Sequence, residues 1–308
     1  MQIYLPIADL PLNIFLLFGM GLAVGFISGM FGIGGGFLMT PLLIFVGVPP
    51  AVSVASVASH IAASSFSGAI SYWRKRALDI PLASVLLVGG FTGTAAGVTL
   101  FTVLRSLDQL DLMIGLSYVT LLTIVGGLMI YEGLRAVMRE RRGMMAMPRH
   151  AGSHLWIHGL PLKMRFKRSK IYVSVIPVGT IGFIIGFIGA IMGIGGGFLL
   201  VPMLIYVLRV PTSVVIGTSM VLTLVTMAAA TVLHAATNHL VDVVLAMLLM
   251  VGGVIGAQFG ARAGQKLAAD RLRLMLGLLV VAVGLRFAFD LVWTPADVYS
   301  IRSMEGGR

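Results

Sequence analysis

The sequence predicts an all-α polytopic membrane protein built from two inverted repeats of about five helical segments each. Three observations carry this expectation. Only 11% of residues are charged and 58% are hydrophobic, where a soluble domain carries about a quarter charged residues. A phrase occurs twice: Gly32 to Pro41 reads GIGGGFLMTP and Gly193 to Pro202 reads GIGGGFLLVP. The basic residues fall on alternate loops, in opposite phase in the two halves.

Apolar runs of about 20 residues recur along the chain, the length a helix needs to cross roughly 30 Å of hydrocarbon. Strands of a barrel would instead alternate over about ten residues. No Lys or Arg precedes Arg74. The N-terminal stretch therefore lacks the basic start of a secretory signal and is expected to be a retained span. Cysteine is absent, which excludes disulfides, thiol chemistry and cysteine-ligated metals.

The repeat extends well beyond the glycines. Gly89-Gly90-Phe91-Thr92-Gly93 aligns with Gly252-Gly253-Val254-Ile255-Gly256, Leu112 to Leu116 with Leu274 to Leu278, Asp79 with Asp242 and Asp108 with Asp270. A near-constant offset of 161 to 163 residues means duplication of a whole unit. The first unit divides into segments at roughly 12–31, 35–47, 51–73, 80–103 and 110–138. The second divides at roughly 172–192, 196–208, 212–234, 241–264 and 271–292. The division is thus a first membrane repeat at 1–138, a basic loop at 139–170 and a second repeat at 171–308. The second segment of each unit is too short to span a bilayer at 1.5 Å per residue. It is expected to form a broken or re-entrant hairpin with the first, hinged at GIGGG. Irregular backbone at that depth is tolerated only where protein or a water-filled cavity satisfies it.

Loop charge sets the orientation. Ten of the basic residues behind the net charge of +11 lie between Arg135 and Lys170. Such a cluster can be an anionic-lipid or nucleic-acid patch. Between apolar flanks it reads as a cytoplasmic loop obeying the positive-inside rule, with no nucleic acid involved. The loop with Arg74, Lys75 and Arg76 and the loop with Arg262, Lys266, Arg271 and Arg273 then lie inside. The loops at Asp108 and at Asn238-His239 lie outside. Corresponding loops fall on opposite sides, so the halves are expected to be inverted, with both termini outside. Gly89, Gly93 and Gly97, and likewise Gly252, Gly256 and Gly260, are spaced by four. This spacing suits either a static helix-packing seam or a sliding gate surface.

A glycine-interrupted apolar segment at matching positions of two halves is the sequence mark of a repeat-built transporter's binding site. The glycines do not form a nucleotide loop, because no strand precedes them and no Lys-Ser/Thr pair follows. Short helices starting after Gly36 and Gly197 would turn unsatisfied amides toward mid-membrane. Those ends carry partial positive charge and can hold an anion without a charged side chain. The candidate site is therefore Gly32, Gly34, Gly35, Gly36 and Phe37 with Gly193, Gly195, Gly196, Gly197 and Phe198. The alternative is a tight packing hinge.

Polar residues add to this set. The third segment carries Ser53, Ser56, Ser59, His60, Ser64, Ser65 and Ser67, and its partner carries Thr212, Ser213, Thr218, Ser219, Thr223 and Thr226. Ser53, Ser56, His60 and Ser64 share a helical face, and with Thr218, Ser219 and the mid-segment Gln258 they are candidate substrate ligands. Hydroxyls in membrane helices equally bond back to their own carbonyls or to neighbouring helices. His60 is either an ionisable functional group inside a span or a packing residue. All carboxylates lie at segment ends or in loops, which disfavours a carboxylate proton relay and suits an anionic substrate. Neither a catalytic group, a metal nor a cofactor is expected.

The paired GIGGG-F-L-x-x-P motifs, the Val48-Pro49 and Val210-Pro211 steps after them, and the two-unit hydropathy resemble the TauE/SafE sulfite exporter family of membrane permeases. The resemblance covers about Gly21 to Gly284. It implies a multi-pass protein of the bacterial inner membrane that passes a small anionic substrate, such as sulfite or an organosulfonate, across the lipid bilayer. The other class consistent with the residues is a non-transporting receptor or scaffold acting through its basic loop.

Overall fold

The computed structural model describes residues 2–31, 34–74, 78–141, 161–166, 168–169, 171–206, 208, 210, 212–264 and 269–292. Among the described residues, ten α-helices form an all-α membrane architecture. The first half contains α1 (Ile14–Phe31), α2 (Gly36–Phe45), α3 (Pro50–Arg74), α4 (Ile80–Ser106) and α5 (Leu110–Arg141). The second contains α6 (Val175–Met192), α7 (Gly197–Tyr206), α8 (Thr212–Leu233), α9 (Val243–Gly264) and α10 (Ala269–Val292). Among the described residues, α4, α5, α6, α8 (continued through its π-helical end) and α9 are long and apolar enough to cross a membrane, with mean hydropathy from 1.6 to 2.3. The shorter apolar helices include the whole of α2 and parts of α1 and α10. Helix α3 is long but carries seven serines.

The surface is apolar: Val88, Leu112, Leu128, Met247 and Leu285 are exposed on the outer faces of α4, α5, α9 and α10. The interior of α3 and α8 holds buried hydroxyls instead. That inversion requires lipid around the protein and satisfied backbone within it.

Packing repeats as the sequence does. Helix α1 lies on α9 and α4 on α6, while α3 lies on α8 and α5 on α10. Exchanging each helix for its counterpart in the other half leaves this set unchanged. On α5 and α10, Gly133 faces Leu274 and Gly284 faces Leu122, so these counterpart helices run antiparallel.

The four-residue glycine stripes are close-packing seams. A methyl group built on Gly252 would lie 2.5 Å from Phe18 O, and one on Gly97 would lie 2.6 Å from Phe187 O. Gly93 and Gly256 abut the backbones of Phe183 and Leu22 in the same way. The opposing surfaces are also small: Gly21, Gly25 and Gly29 on α1 meet α9, and Gly182 and Gly186 on α6 meet α4. Without a Cβ the helix backbones reach van der Waals contact, which drives association in lipid.

Two short hairpins were not expected from the sequence. Strand β1 (Gln2–Leu5) pairs antiparallel with β2 (Leu10–Asn13), and β3 (Lys163–Phe166) pairs with β4 (Ile171–Ser174). The first lies in the stretch read as the approach to a span, and the second begins inside the basic stretch 139–170. Both sit at the same place in the repeat. Each hairpin docks on the start of a helix in the other half. Asp242 accepts Ile7 N–H at Oδ2 (2.9 Å) while its Oδ1 accepts Leu245 N–H (3.1 Å) at the start of α9. Asp79 accepts Ser169 N–H (2.8 Å) and Ser169 Oγ–H (2.7 Å) at Oδ2, and caps α4 through Leu82 N–H. The matched acids of the two halves are thus buried helix caps, each also holding a turn from the opposite half.

Candidate functional site

The two GIGGG motifs meet in the centre of the molecule. Gly34 and Gly35 have φ of 86° and 57°, and Gly193 and Gly195 have φ of 64° and 71°. Only glycine adopts this left-handed backbone without strain, and it lets the chain reverse between a long helix and a short one. Gly193 ends α6 in this conformation, its N–H bonding Gly189 O, and Gly35 opens α2. A methyl group built on Gly36 would lie 2.5 Å from Ile194 O and 2.6 Å from Gly193 O. The start of α2 therefore rests on the second motif's turn. One residue on, the rings of Phe37 and Phe198 stack with centroids 4.6 Å apart and planes 11° from parallel.

Two side chains from the central pair α3 and α8 fill the space between the turns. Ile61 Cγ2 lies beside both Gly34 and Gly195. Thr223 Cγ2 lies 3.6 Å from a Cβ position on Gly34 and 3.4 Å from one on Gly195, and Thr223 Oγ1 lies 3.7 Å from one on Gly196.

The copies are held differently. Thr40 Oγ1 donates to Gly193 O (3.3 Å) and Tyr118 Oη donates to Met192 O (2.6 Å), so two first-half side chains fix the second motif's entry. Their repeat counterparts are Val201 and Val280, which have no such donor.

Gly34, Gly35, Gly36, Phe37, Gly193, Gly195, Gly196, Gly197 and Phe198 come together here; Gly32 lies outside the described residues. The predicted polar set divides. Ser53 Oγ–H donates to Val48 O, Ser64 Oγ–H to Ile61 O and Ser219 Oγ–H to Ile216 O, while Ser56 Oγ accepts Asp242 N–H. Three of these hydroxyls are occupied by nearby carbonyls of their own segment, and Ser56 by the backbone at the start of α9 in the other half. Gln258 is on the exposed face of α9 and is not brought to the motifs. His60 is buried, with its ring against Gly253 and Nδ1 donating to Leu249 O at 2.7 Å. Among the described residues, His60 Nε2, Ser65 Oγ, Thr218 Oγ1 and Thr223 Oγ1 are buried without a hydrogen-bond partner.

Thr40 and Tyr118 were missed as site supports. The available signal was the difference between copies, since both align with valine in the second half. A buried group at the end of α8 was missed too. His234 Nε2 donates to Ala190 O (3.1 Å), and Asn238 Nδ2 donates to His234 Nδ1 (3.2 Å) across the π-helical turn His234–Asn238. Thr102 Oγ1 and Arg105 then bond to Asn238. Among the described residues, no group of acids and histidines is arranged to hold a metal ion.

The chain matches the family model described as Sulfite exporter TauE/SafE over residues 17–287. It is 33% identical over 277 residues to a "Probable membrane transporter protein" of Xylella fastidiosa (strain 9a5c), covering 87% of this chain and 92% of that one. It is 24% identical over 270 residues to "Probable membrane transporter protein YjnA" of Bacillus subtilis (strain 168), covering 87% and 96%. A shorter likeness, 36% over 67 residues, covers 22% of this chain and 14% of "Sulfite exporter TauE/SafE family protein 3" of Arabidopsis thaliana. No solved structure gives a significant match. With the repeated GIGGG turns joined at its centre, the chain belongs to the TauE/SafE sulfite exporter family of membrane transporters.

Proposed function

We propose that this transporter is a permease for a small sulfur-containing anion, sulfite or an organosulfonate, working by alternating access in a bacterial inner membrane. The observation that carries the reading is the meeting of Gly36 with the carbonyls of Gly193 and Ile194, next to the Phe37–Phe198 stack. Two short helices start there, and their positive ends attract an anion. No carboxylate in mid-span adds a full negative charge against it. Glycine lets the substrate reach the backbone amides.

The halves are inverted about an axis in the membrane plane, a reading supported by the antiparallel run of α5 against α10 and by the loop charges. In the described conformation the two turns touch, so substrate enters when one half draws back from the other. His60 Nε2 on α3 and Thr218 Oγ1 on α8, buried without hydrogen-bond partners, are further candidate ligands. The protein binds and moves its substrate without chemical conversion.

Proteoliposomes holding the purified protein test this through uptake of ³⁵S-sulfite. The reading expects saturable uptake above empty liposomes, competed by unlabelled sulfonates. Uptake no greater than in empty liposomes, across sulfite, sulfate, thiosulfate and sulfonates, would reject it.

A further inference from the structure

Among the described residues, four buried polar atoms stand without partners, and all four belong to α3 and α8, the helices that pack together at the molecular centre. Buried polar side chains are ordinarily hydrogen-bonded, so such a group has a reason. Thr223 is 1% exposed and is the one that touches both glycine turns. Other hydroxyls on α8 bond back to their own helix: Thr226 Oγ1–H donates to Leu222 O and Ser219 Oγ–H donates to Ile216 O. The Thr223 hydroxyl does not, and it lies 3.7 Å from where a side chain on Gly196 would begin. At the offset of 162 set by Val48-Pro49 and Val210-Pro211 its repeat counterpart is Ile61, so of the two side chains set between the turns only one carries a hydroxyl.

We propose that Thr223 Oγ1 is a direct ligand of the transported anion, donating one hydrogen bond to a substrate oxygen between the Gly34 and Gly195–Gly196 turns. This rests on the reading of those turns as the anion site. It adds that the site is chemically lopsided, with oxyanions bound in one orientation, although the surrounding backbone is nearly symmetric.

Binding of ³⁵S-sulfite to purified wild type, Thr223→Val, Thr223→Ser and Gly34→Ala tests both layers. Valine preserves shape and removes the donor; serine restores it. A methyl group on Gly34 meets only carbons at 3.6 Å or more and intrudes between the turns, but any Cβ strains the backbone at φ 86°, so its binding is compared per folded protein. A hydrogen bond to a charged ligand is worth about 10- to 100-fold in affinity. The proposal expects that loss in Thr223→Val, substantial recovery in Thr223→Ser, and weakened binding in Gly34→Ala. Wild-type affinity in Thr223→Val with weakened binding in Gly34→Ala would overturn the Thr223 role alone. Wild-type affinity in both, or no saturable binding by wild type, would overturn the site reading with it. A monodisperse elution profile and an unchanged melting temperature for each variant separate these outcomes from misfolding.

Discussion

The phenyl rings of Phe37 and Phe198, 161 residues apart in the chain, stack at 4.6 Å directly after the two glycine turns. Each ring belongs to a ten-residue helix that cannot cross the bilayer alone. Stacking therefore joins the two short helices where their halves meet, and couples the position of one turn to that of the other.

Phe37→Ala removes a fully buried ring from this joint. A buried Phe→Ala change costs about 3–5 kcal/mol. We expect a clearly lower melting temperature in detergent and loss of sulfite uptake, with Phe37→Leu retaining much of both. Equal uptake by Phe37→Ala and wild type would show that the stack does not couple the halves.

Tyr118→Phe and Thr40→Val each remove a donor to the carbonyls at the end of α6. Each loss is worth about 1 kcal/mol, more if the carbonyl is left unsatisfied. Because the acceptors are neighbours, Met192 and Gly193, the double variant should be non-additive in thermal stability. Strict additivity would mean the two bonds anchor independent pieces of backbone.

Gly256→Leu drives a side chain into the backbone of Leu22 and Phe26 on α1. Gly19→Ala and Gly127→Ala meet nothing within 4 Å. The first should fail to give monodisperse protein, and the other two should match wild type or exceed it slightly, since alanine favours helix over glycine by about 1 kcal/mol. Size-exclusion profiles compare them. A well-behaved Gly256→Leu would contradict close contact at the α1–α9 seam.

Asp79→Ala and Asp242→Ala each remove a helix cap together with the latch of a hairpin from the opposite half. A cap alone is worth about 0.5–2 kcal/mol. Limited proteolysis should cut within 163–174 in the first variant and within 2–13 in the second. Unchanged cleavage would show that the hairpins are held by other contacts.

Much of the helical frame was legible in the sequence because the period of apolar residues and the glycine breaks are local signals. The α2 and α7 helices begin at Gly36 and Gly197, within a residue of the expected 35 and 196. The hairpins were not legible: four-residue strands such as Gln2–Leu5 carry too little alternation to register. The meeting of the glycine turns was foreseeable from their duplication. The division of the hydroxyls was not, because Ser53 and Thr223 look alike in sequence, yet the first donates to Val48 O and the second has no partner. Gln258 shows the same limit, since its face on α9 is set by which side packs on α1.

The central claim is that an anion binds between the two glycine turns. Selenite has the shape and charge of sulfite and carries an anomalous scatterer, so crystals grown with it would locate the site directly. The account predicts an anomalous selenium peak between the Gly34–Gly36 and Gly195–Gly197 turns, within hydrogen-bonding reach of Thr223 Oγ1. A selenium peak elsewhere, with the space between the turns empty under conditions that support uptake, would contradict it.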